Sequence, residues 1–182
     1  CVDKTGTLTL NEMTVSKILI GDKTYTVDYG SKDNIPEEFH ETISFSILSS
    51  QKTPFDPMEK AFKNLGERYL KGTEHDHSDW SLVKEYPLSE ELLAMTHVWK
   101  PVGGKDYIVA TKGAPEAIVE LCHLGKDERK RIMDQVSEIA NDGLRVLGVA
   151  KSHYSESDLP ENQEKFNFEF LGLIGLMDPV RP

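Results

Sequence analysis

The order of short apolar segments and turn residues constrains the fold of this chain more than any other feature. Residues 13–20 and 23–27 are strand-like and flank Gly21-Asp22, a pattern typical of a β-hairpin. Further strand-like segments cover residues 81–88, 92–100, 105–111, 144–151 and 166–176. Since strands joined by short turns pair antiparallel, the pattern predicts a mainly antiparallel twisted sheet.

Four segments have the apolar spacing of a helix, over residues 36–49, 56–69, 115–122 and 126–141. The second begins with Asp56 as the N-cap, Pro57 at the first helical position and Glu59 three residues after the cap, which is a capping box. Gly143 follows the fourth as a terminating glycine. Residues 92–100 are apolar on both faces, as expected of a strand covered on both sides. The predicted fold class is therefore α+β, an antiparallel sheet flanked by helices.

Composition narrows the class of partner. The chain has 182 residues, 38% hydrophobic and 29% charged, which is typical of a globular domain plus, at most, pieces of a second. A net charge of −10 argues against nucleic acid or an anionic membrane surface as partner. The sequence contains no apolar run of the roughly 20 residues that a membrane helix needs, so no direct membrane insertion is expected. Two cysteines suit a reducing compartment.

The most informative motif is Asp3-Lys4-Thr5-Gly6-Thr7-Leu8-Thr9. An Asp at the end of a short strand, followed by a glycine-containing turn, can attack a phosphoryl group while backbone N–H groups hold its oxygens. The alternative is an N-terminal turn in which these side chains only satisfy the backbone. The seven-residue string resembles the phosphorylation motif of the P-type cation-transporting ATPases.

The resemblance implies that Asp3 accepts the γ-phosphate of ATP as an acyl phosphate. Thr5 would give a backbone carbonyl to Mg²⁺ and a hydroxyl to the phosphate, with Lys4 between the two. Related phosphohydrolases carry an Asp general acid/base at the position of Thr5. Without that base, water attacks the intermediate more slowly, which favours a pump over a phosphatase.

Two further motifs supply cations. Lys112-Gly113-Ala114-Pro115-Glu116 is either a ligand-approach site at a strand end or a plain strand-to-helix turn. It is similar to the nucleotide-site motif of the same family, in which the lysine lies against ATP. Arg145, in a strand of apolar neighbours, either extends from the sheet or pairs with an anion. The resemblance implies that it contacts the ATP phosphates.

The motif Asp56-Pro57-Met58-Glu59 looks like the Asp-Pro-x-Glu element of the family, whose Glu approaches the adenine amino group, although a capping box explains it equally well. Residues 177–182 resemble the hinge that returns to the phosphorylation domain, and this resemblance adds Asp178 to the candidate nucleotide-binding residues. The alternative for this segment is a rigid exit turn set by its prolines.

One segment departs from the family pattern. The family carries Phe-Ser-x-x-x-Lys-x-Met, whereas residues 88–95 place Leu88 at the aromatic position and Leu93 at the lysine. A leucine can cover adenine by apolar burial but cannot stack on it, so we expect weaker ATP binding or an adenine site completed by another side chain.

Other site classes are less well supported. His75-Asp76-His77 has metal-ligand chemistry, but such a triplet in a polar segment is more often solvent-exposed. The sequence has no His-Pro element of the heavy-metal pump subgroup, no P-loop and no dinucleotide fingerprint.

The resemblance extends from Asp3 to Arg181 and implies three parts: residues 1–11 as a stub of the phosphorylation domain, 12–175 as the nucleotide-binding domain, and 176–182 as the returning hinge. It implies a fragment of a type II, calcium-pump-like membrane cation pump, exposed to the cytoplasm. ATP, Mg²⁺ and the phosphorylation, actuator and membrane domains of the same pump would be its partners. The fragment would bind ATP without completing the cycle.

Two alternatives stay open. One is a non-catalytic regulatory or docking module, to which the departures at Leu88 and Leu93 give weight. The other is a free-standing phosphohydrolase, which Thr5 disfavours. The transported cation, the regulation and the oligomeric state do not follow from the sequence.

Overall fold

A seven-stranded antiparallel sheet organises the computed structural model, which describes residues 12–178. The strands are β1 (Thr14–Ile20), β2 (Lys23–Thr26), β3 (Ser81–Tyr86), β4 (Ala94–Lys100), β5 (Tyr107–Gly113), β6 (Arg145–Tyr154) and β7 (Glu169–Met177). The helices are α1 (His40–Leu48), α2 (Pro57–Tyr69), α3 (Pro115–Leu121) and α4 (Lys126–Asn141). Short 3₁₀ turns cover Glu37–Phe39 and Gln163–Lys165. The antiparallel sheet with flanking helices agrees with the α+β prediction.

The strand order is β2-β1-β7-β6-β5-β4-β3, so the last strand lies between the first and the sixth. Thr14 of β1 pairs with Met177 of β7. The two ends of the described range therefore leave the sheet side by side. No helix within residues 12–178 is long and apolar enough to cross a membrane.

Helices cover both faces of the sheet, because alternate residues of the central strands enter different cores. On β5, Ala110 belongs to the core under α1 and α2, together with Trp99 and Phe62. Its neighbour Val109 belongs to the core under α3, with Ile118. A third cluster lies under α4. This two-sided cover explains why residues 92–100 are apolar on both faces.

Local chemistry fixes the element ends that matter for the site. The Asp56 carboxylate accepts the Met58 N–H at 2.8 Å and caps α2, with Pro57 at the first turn as expected. Gly143 has φ +80° after α4, a conformation that favours glycine. The strand predicted to end at 111 extends to Gly113, because β5 pairs with β4 and β6 over its full length. Lys112 is therefore a strand residue rather than part of a turn.

Candidate functional site

Lys112 lies at the centre of the candidate site. Its side chain is on the α1–α2 face of the sheet, near the end of β5, and the residue is only 6% exposed. The ammonium donates to the Ser49 carbonyl at 2.7 Å, to the Ser50 hydroxyl at 2.8 Å and to the Glu59 carboxylate at 3.3 Å. All three of its N–H donors therefore have acceptors within the protein, so a ligand could bond to the ammonium only by replacing one of them.

Burial lowers the pKa of Lys112 to about 8, and the nearby Glu59 carboxylate partly opposes this shift. The ammonium is consequently still mostly protonated at neutral pH. It forms a buried ion pair with Glu59, which is also only 6% exposed. The two charges compensate each other, and removing either member would leave the other buried without compensation.

The N-terminus of α2 places Glu59 next to Lys112. Asp56 caps α2, which fixes Glu59 in the first turn. A capping box would turn the Glu59 carboxylate back toward the N-cap. Instead the carboxylate points inward, to Lys112 and to the Gln51 N–H at 3.4 Å. The capping role of Asp56 is confirmed, and Glu59 is freed for the buried pair.

Gly113 is required by close strand packing. A Cβ built on it would lie 2.1 Å from the Leu93 carbonyl oxygen and 2.7 Å from the Ala94 Cα. The next residue, Ala114, donates its N–H to the same Leu93 carbonyl at 2.9 Å. The glycine therefore fixes the segment between β3 and β4 against the end of β5, whether or not a ligand approaches it.

Arg145 is the exposed cation at the same end of the sheet. It begins β6 and pairs with Leu176 of β7. Its guanidinium lies 3.7 Å from the Met58 sulfur, one residue before Glu59 in α2. Within residues 12–178 it has no carboxylate at ion-pair distance, in contrast to Lys112. An anion can thus approach Arg145 without displacing any carboxylate of the described residues.

Apolar side chains border this end of the sheet. Leu88 and Leu93, in the segment between β3 and β4, are 55% and 51% exposed. Phe55 directly precedes the Asp56 cap and is 84% exposed. The leucines were predicted from the sequence, and Phe55 was not, although an aromatic residue beside a helix N-cap was a signal for it.

The remaining predicted site residues divide into two groups. Asp178 follows β7, and its Oδ1 is buried without a hydrogen-bond partner in residues 12–178. Asp3, Lys4 and Thr5 lie outside the described residues, as do the 1–11 stub and the end of the predicted hinge. The phosphorylation motif, its Mg²⁺ ligands and the domain boundaries stay predictions.

Sequence reasoning missed the polar segment after α1. Ser49 and Ser50 are buried and supply two of the three Lys112 acceptors. Two serines after an apolar helical segment were a weak signal, because serine also commonly ends helices. Ser50 also lines a groove of about 740 Å³ between α1, α2 and the segment that follows α2. None of the predicted nucleotide-site residues lines that groove, which is bordered instead by the 75–77 triplet.

The family model and three relatives that match this chain are described as P-type or calcium-transporting ATPases. The family model described as P-type ATPase, cytoplasmic domain N, matches residues 49–182. The chain is 29% identical over 217 residues to a probable plasma membrane-type calcium-transporting ATPase of Oryza sativa subsp. japonica, covering all of this chain and 20% of that protein. It is 27% identical over 217 residues to a calcium-transporting ATPase of Bacillus subtilis, covering all of this chain and 24% of that protein.

A third relative is a sodium/potassium exporting P-type ATPase of Schizosaccharomyces pombe. Identity is 32% over 136 residues, which is 69% of this chain and 13% of that protein. The chain thus spans less than a quarter of the length of these relatives.

Proposed function

The chain belongs to the P-type ATPases, through their cytoplasmic domain N, and on this premise we propose that it binds ATP for a membrane cation pump. In the intact pump, ATP hydrolysis through an aspartyl phosphate at Asp3 would be coupled to ion transport. Relatives include proteins named as calcium-transporting and as sodium/potassium exporting. The type II, calcium-pump-like branch suits the motifs, and the cation itself stays open.

The observation that carries the proposal is the charge arrangement at one end of the sheet. A buried Lys112–Glu59 pair lies behind the first turn of α2, and the exposed Arg145 lies against the same turn. In a chain of net charge −10, a polyanion needs a local positive charge, and Arg145 supplies it, because the Lys112–Glu59 pair is neutral as a whole. Arg145 is suited to the phosphates because it has no carboxylate to release among the described residues.

The exposed apolar side chains at this end of the sheet suit the adenine base of ATP. We assign the adenine ring to the exposed side chains Leu88 and Phe55, with the Glu59 carboxylate near the exocyclic amino group. Phe55 would supply the aromatic face that Leu88 lacks, since an aromatic ring prefers an offset-stacked partner. Lys112 would then act mainly by holding the Glu59 carboxylate in place, and Gly113 would let the end of β5 pack closely against the segment that carries Leu93.

The phosphorylation step belongs to residues outside the described range. Asp3, Lys4 and Thr5 would form the acceptor, and Mg²⁺ would reach Asp3 and Thr5 together with ligands from the rest of the pump. When bound, Mg²⁺ would neutralise charge that develops on the transferred phosphoryl group. Asp178, in the returning segment, would lie near this junction. The 182-residue chain is therefore proposed to bind ATP without becoming phosphorylated.

A docking or regulatory module is the second candidate. It is favoured by one observation: the Lys112 ammonium is saturated by internal acceptors while three large apolar side chains are exposed at the same border. Such a surface could bind a protein segment instead of a nucleotide.

Amide chemical-shift mapping with ATP distinguishes the two candidates. We expect shifts at Glu59, Gly113 and Arg145, and weaker binding in Arg145→Ala, because that substitution removes a cation that has no carboxylate partner within residues 12–178. Arg129→Ala is the matched control, since Arg129 is exposed on α4 and lies outside the site. Absence of shifts at these three amides at saturating ATP would contradict ATP binding and leave the docking module.

A further inference from the structure

A second cluster of ligating side chains lies outside the candidate ATP site. Glu37 and His40 are one turn apart at the start of the α1 helical segment, and His75 comes from the segment after α2. The His75 Nε2 lies 2.6 Å from one Glu37 oxygen, and the His40 Nδ1 lies 3.1 Å from the other. The three ligating atoms are all within 4.8 Å of one another.

His40 is oriented as a ligand. Its side chain is only 8% exposed, and its Nε2 lies 2.6 Å from the Ile35 carbonyl oxygen. A carbonyl can only accept, so Nε2 carries the hydrogen and the lone pair of a neutral ring is on Nδ1. That Nδ1 is buried without a hydrogen-bond partner in residues 12–178. A lone pair and a carboxylate 3.1 Å apart repel each other unless a proton or a metal cation lies between them.

His75 is held in place from several sides. The Ser44 hydroxyl donates to the His75 carbonyl at 3.2 Å, and the Thr73 hydroxyl accepts the His75 N–H at 3.2 Å. Asp76 accepts the Gly72 N–H at 3.1 Å, which closes the loop around this residue. These hydrogen bonds hold the loop that carries the His75 imidazole in place beside Glu37. Little further ordering of the loop is therefore needed when a metal binds.

We propose that Glu37, His40 and His75 bind a divalent transition-metal ion of the zinc type. Two imidazoles and a carboxylate are a zinc donor set, whereas Mg²⁺ and Ca²⁺ prefer oxygen ligands. Zinc bonds of about 2.0–2.2 Å in a tetrahedron separate ligand atoms by roughly 3.4 Å, so the Glu37–His75 contact would open by less than about 1 Å. Metal-bound histidines typically donate their other ring N–H to a carbonyl or carboxylate, as His40 does to the Ile35 carbonyl.

The Glu74 carboxylate lies 3.7 Å from the His75 Nε2 and is a candidate for a fourth ligand. The metal would link the segment after α2 to the start of α1. None of the proposed nucleotide ligands takes part, so this site does not depend on ATP binding. The sequence triplet 75–77 contributes only its first histidine, since His77 stacks on Trp80 with ring centroids 3.9 Å apart.

The test is a Co²⁺ and Zn²⁺ titration of the metal-free, tag-free 182-residue chain. We expect one equivalent of Co²⁺ to give visible d–d bands of a tetrahedral nitrogen–oxygen site, and Zn²⁺ to abolish them. His75→Ala and Glu37→Gln should each weaken Zn²⁺ binding by at least about tenfold in competition with a chromophoric chelator.

His77→Ala is the matched control and should bind Zn²⁺ as the wild type does. Glu37 is exposed and His75 lies on a loop, and unchanged thermal unfolding of the metal-free variants would verify that both fold. Absence of a stoichiometric Co²⁺ spectrum, equal loss of affinity in His77→Ala, or displacement of Co²⁺ by equimolar Mg²⁺ would each overturn the proposal.

Discussion

Replacing Lys112 with Met tests the energetics of the buried ion pair. The substitution preserves much of the side-chain volume but leaves the Glu59 carboxylate, in a residue only 6% exposed, with the Gln51 N–H at 3.4 Å. It also removes the donors to the Ser49 carbonyl and the Ser50 hydroxyl. Because removing one partner of a buried pair leaves an uncompensated charge, we expect the free energy of unfolding to fall by about 3–5 kcal/mol.

The measurement is urea unfolding followed by tryptophan fluorescence. Trp99 is a suitable reporter because its indole donates to the Leu48 carbonyl at 2.7 Å, next to the serines that bind Lys112. Lys60→Met is the matched control: Lys60 is exposed on α2, beside Glu59, and should change stability by less than about 0.5 kcal/mol. A loss below about 1 kcal/mol in Lys112→Met would refute the reasoning that this pair is buried and coupled.

Three further predictions concern pH, the ligand and packing. Burial lowers the pKa of Lys112 from 10.5 to about 8, so the unfolded chain binds more protons between pH 8 and pH 10.5, and the unfolding free energy should rise with pH there by up to about 3 kcal/mol. The neutral amine formed in this range still donates hydrogen bonds to the Ser49 carbonyl and the Glu59 carboxylate, which methionine cannot do. Urea titrations at several pH values should show this rise in the wild type relative to Lys112→Met; equal slopes would contradict it. Leu88→Phe should tighten ATP binding by roughly 2–10-fold in calorimetry, because stacking adds about 0.5–1.5 kcal/mol; unchanged affinity would remove Leu88 from the adenine site. Gly113→Ala should lower the free energy of unfolding, measured with urea, by about 1–3 kcal/mol or more, because the new Cβ would lie 2.1 Å from the Leu93 carbonyl oxygen. The control Gly125→Ala has open space around its Cβ and should lower it by less than about 1 kcal/mol.

Sequence reasoning succeeded where the determinant is local. The Asp56 cap, the Gly143 terminator and the 126–141 helix depend on residues within one or two turns, and each is found as expected. The position of β7 between β1 and β6 depends on pairing across the whole chain, which no local pattern encodes. For the same reason β5 extends two residues further than predicted, to Gly113.

The candidate site shows the same division. The sequence identified Glu59 and Lys112 separately, but they are 53 positions apart and their pairing was not predicted. The proposed metal site of Glu37, His40 and His75 shows the same limit more clearly. The triplet at 75–77 drew attention to His75, but its partners at 37 and 40 follow from how the segment after α2 packs against α1.

Stability alone does not explain why residues 112 and 59 form a buried ion pair instead of an apolar contact. An apolar pair of similar volume would be about as stable as Lys112 with Glu59, or more so, because desolvation of two charges offsets their attraction. The double variant Lys112→Met/Glu59→Leu should therefore recover at least half of the stability lost in Lys112→Met, and remove ATP-dependent shifts at Arg145 or weaken them severely. Such a separation of stability from binding would assign the pair to the ligand. If the double variant instead lost the sum of both single losses and still bound ATP normally, the pair would be a structural element and the nucleotide would be held elsewhere on the chain.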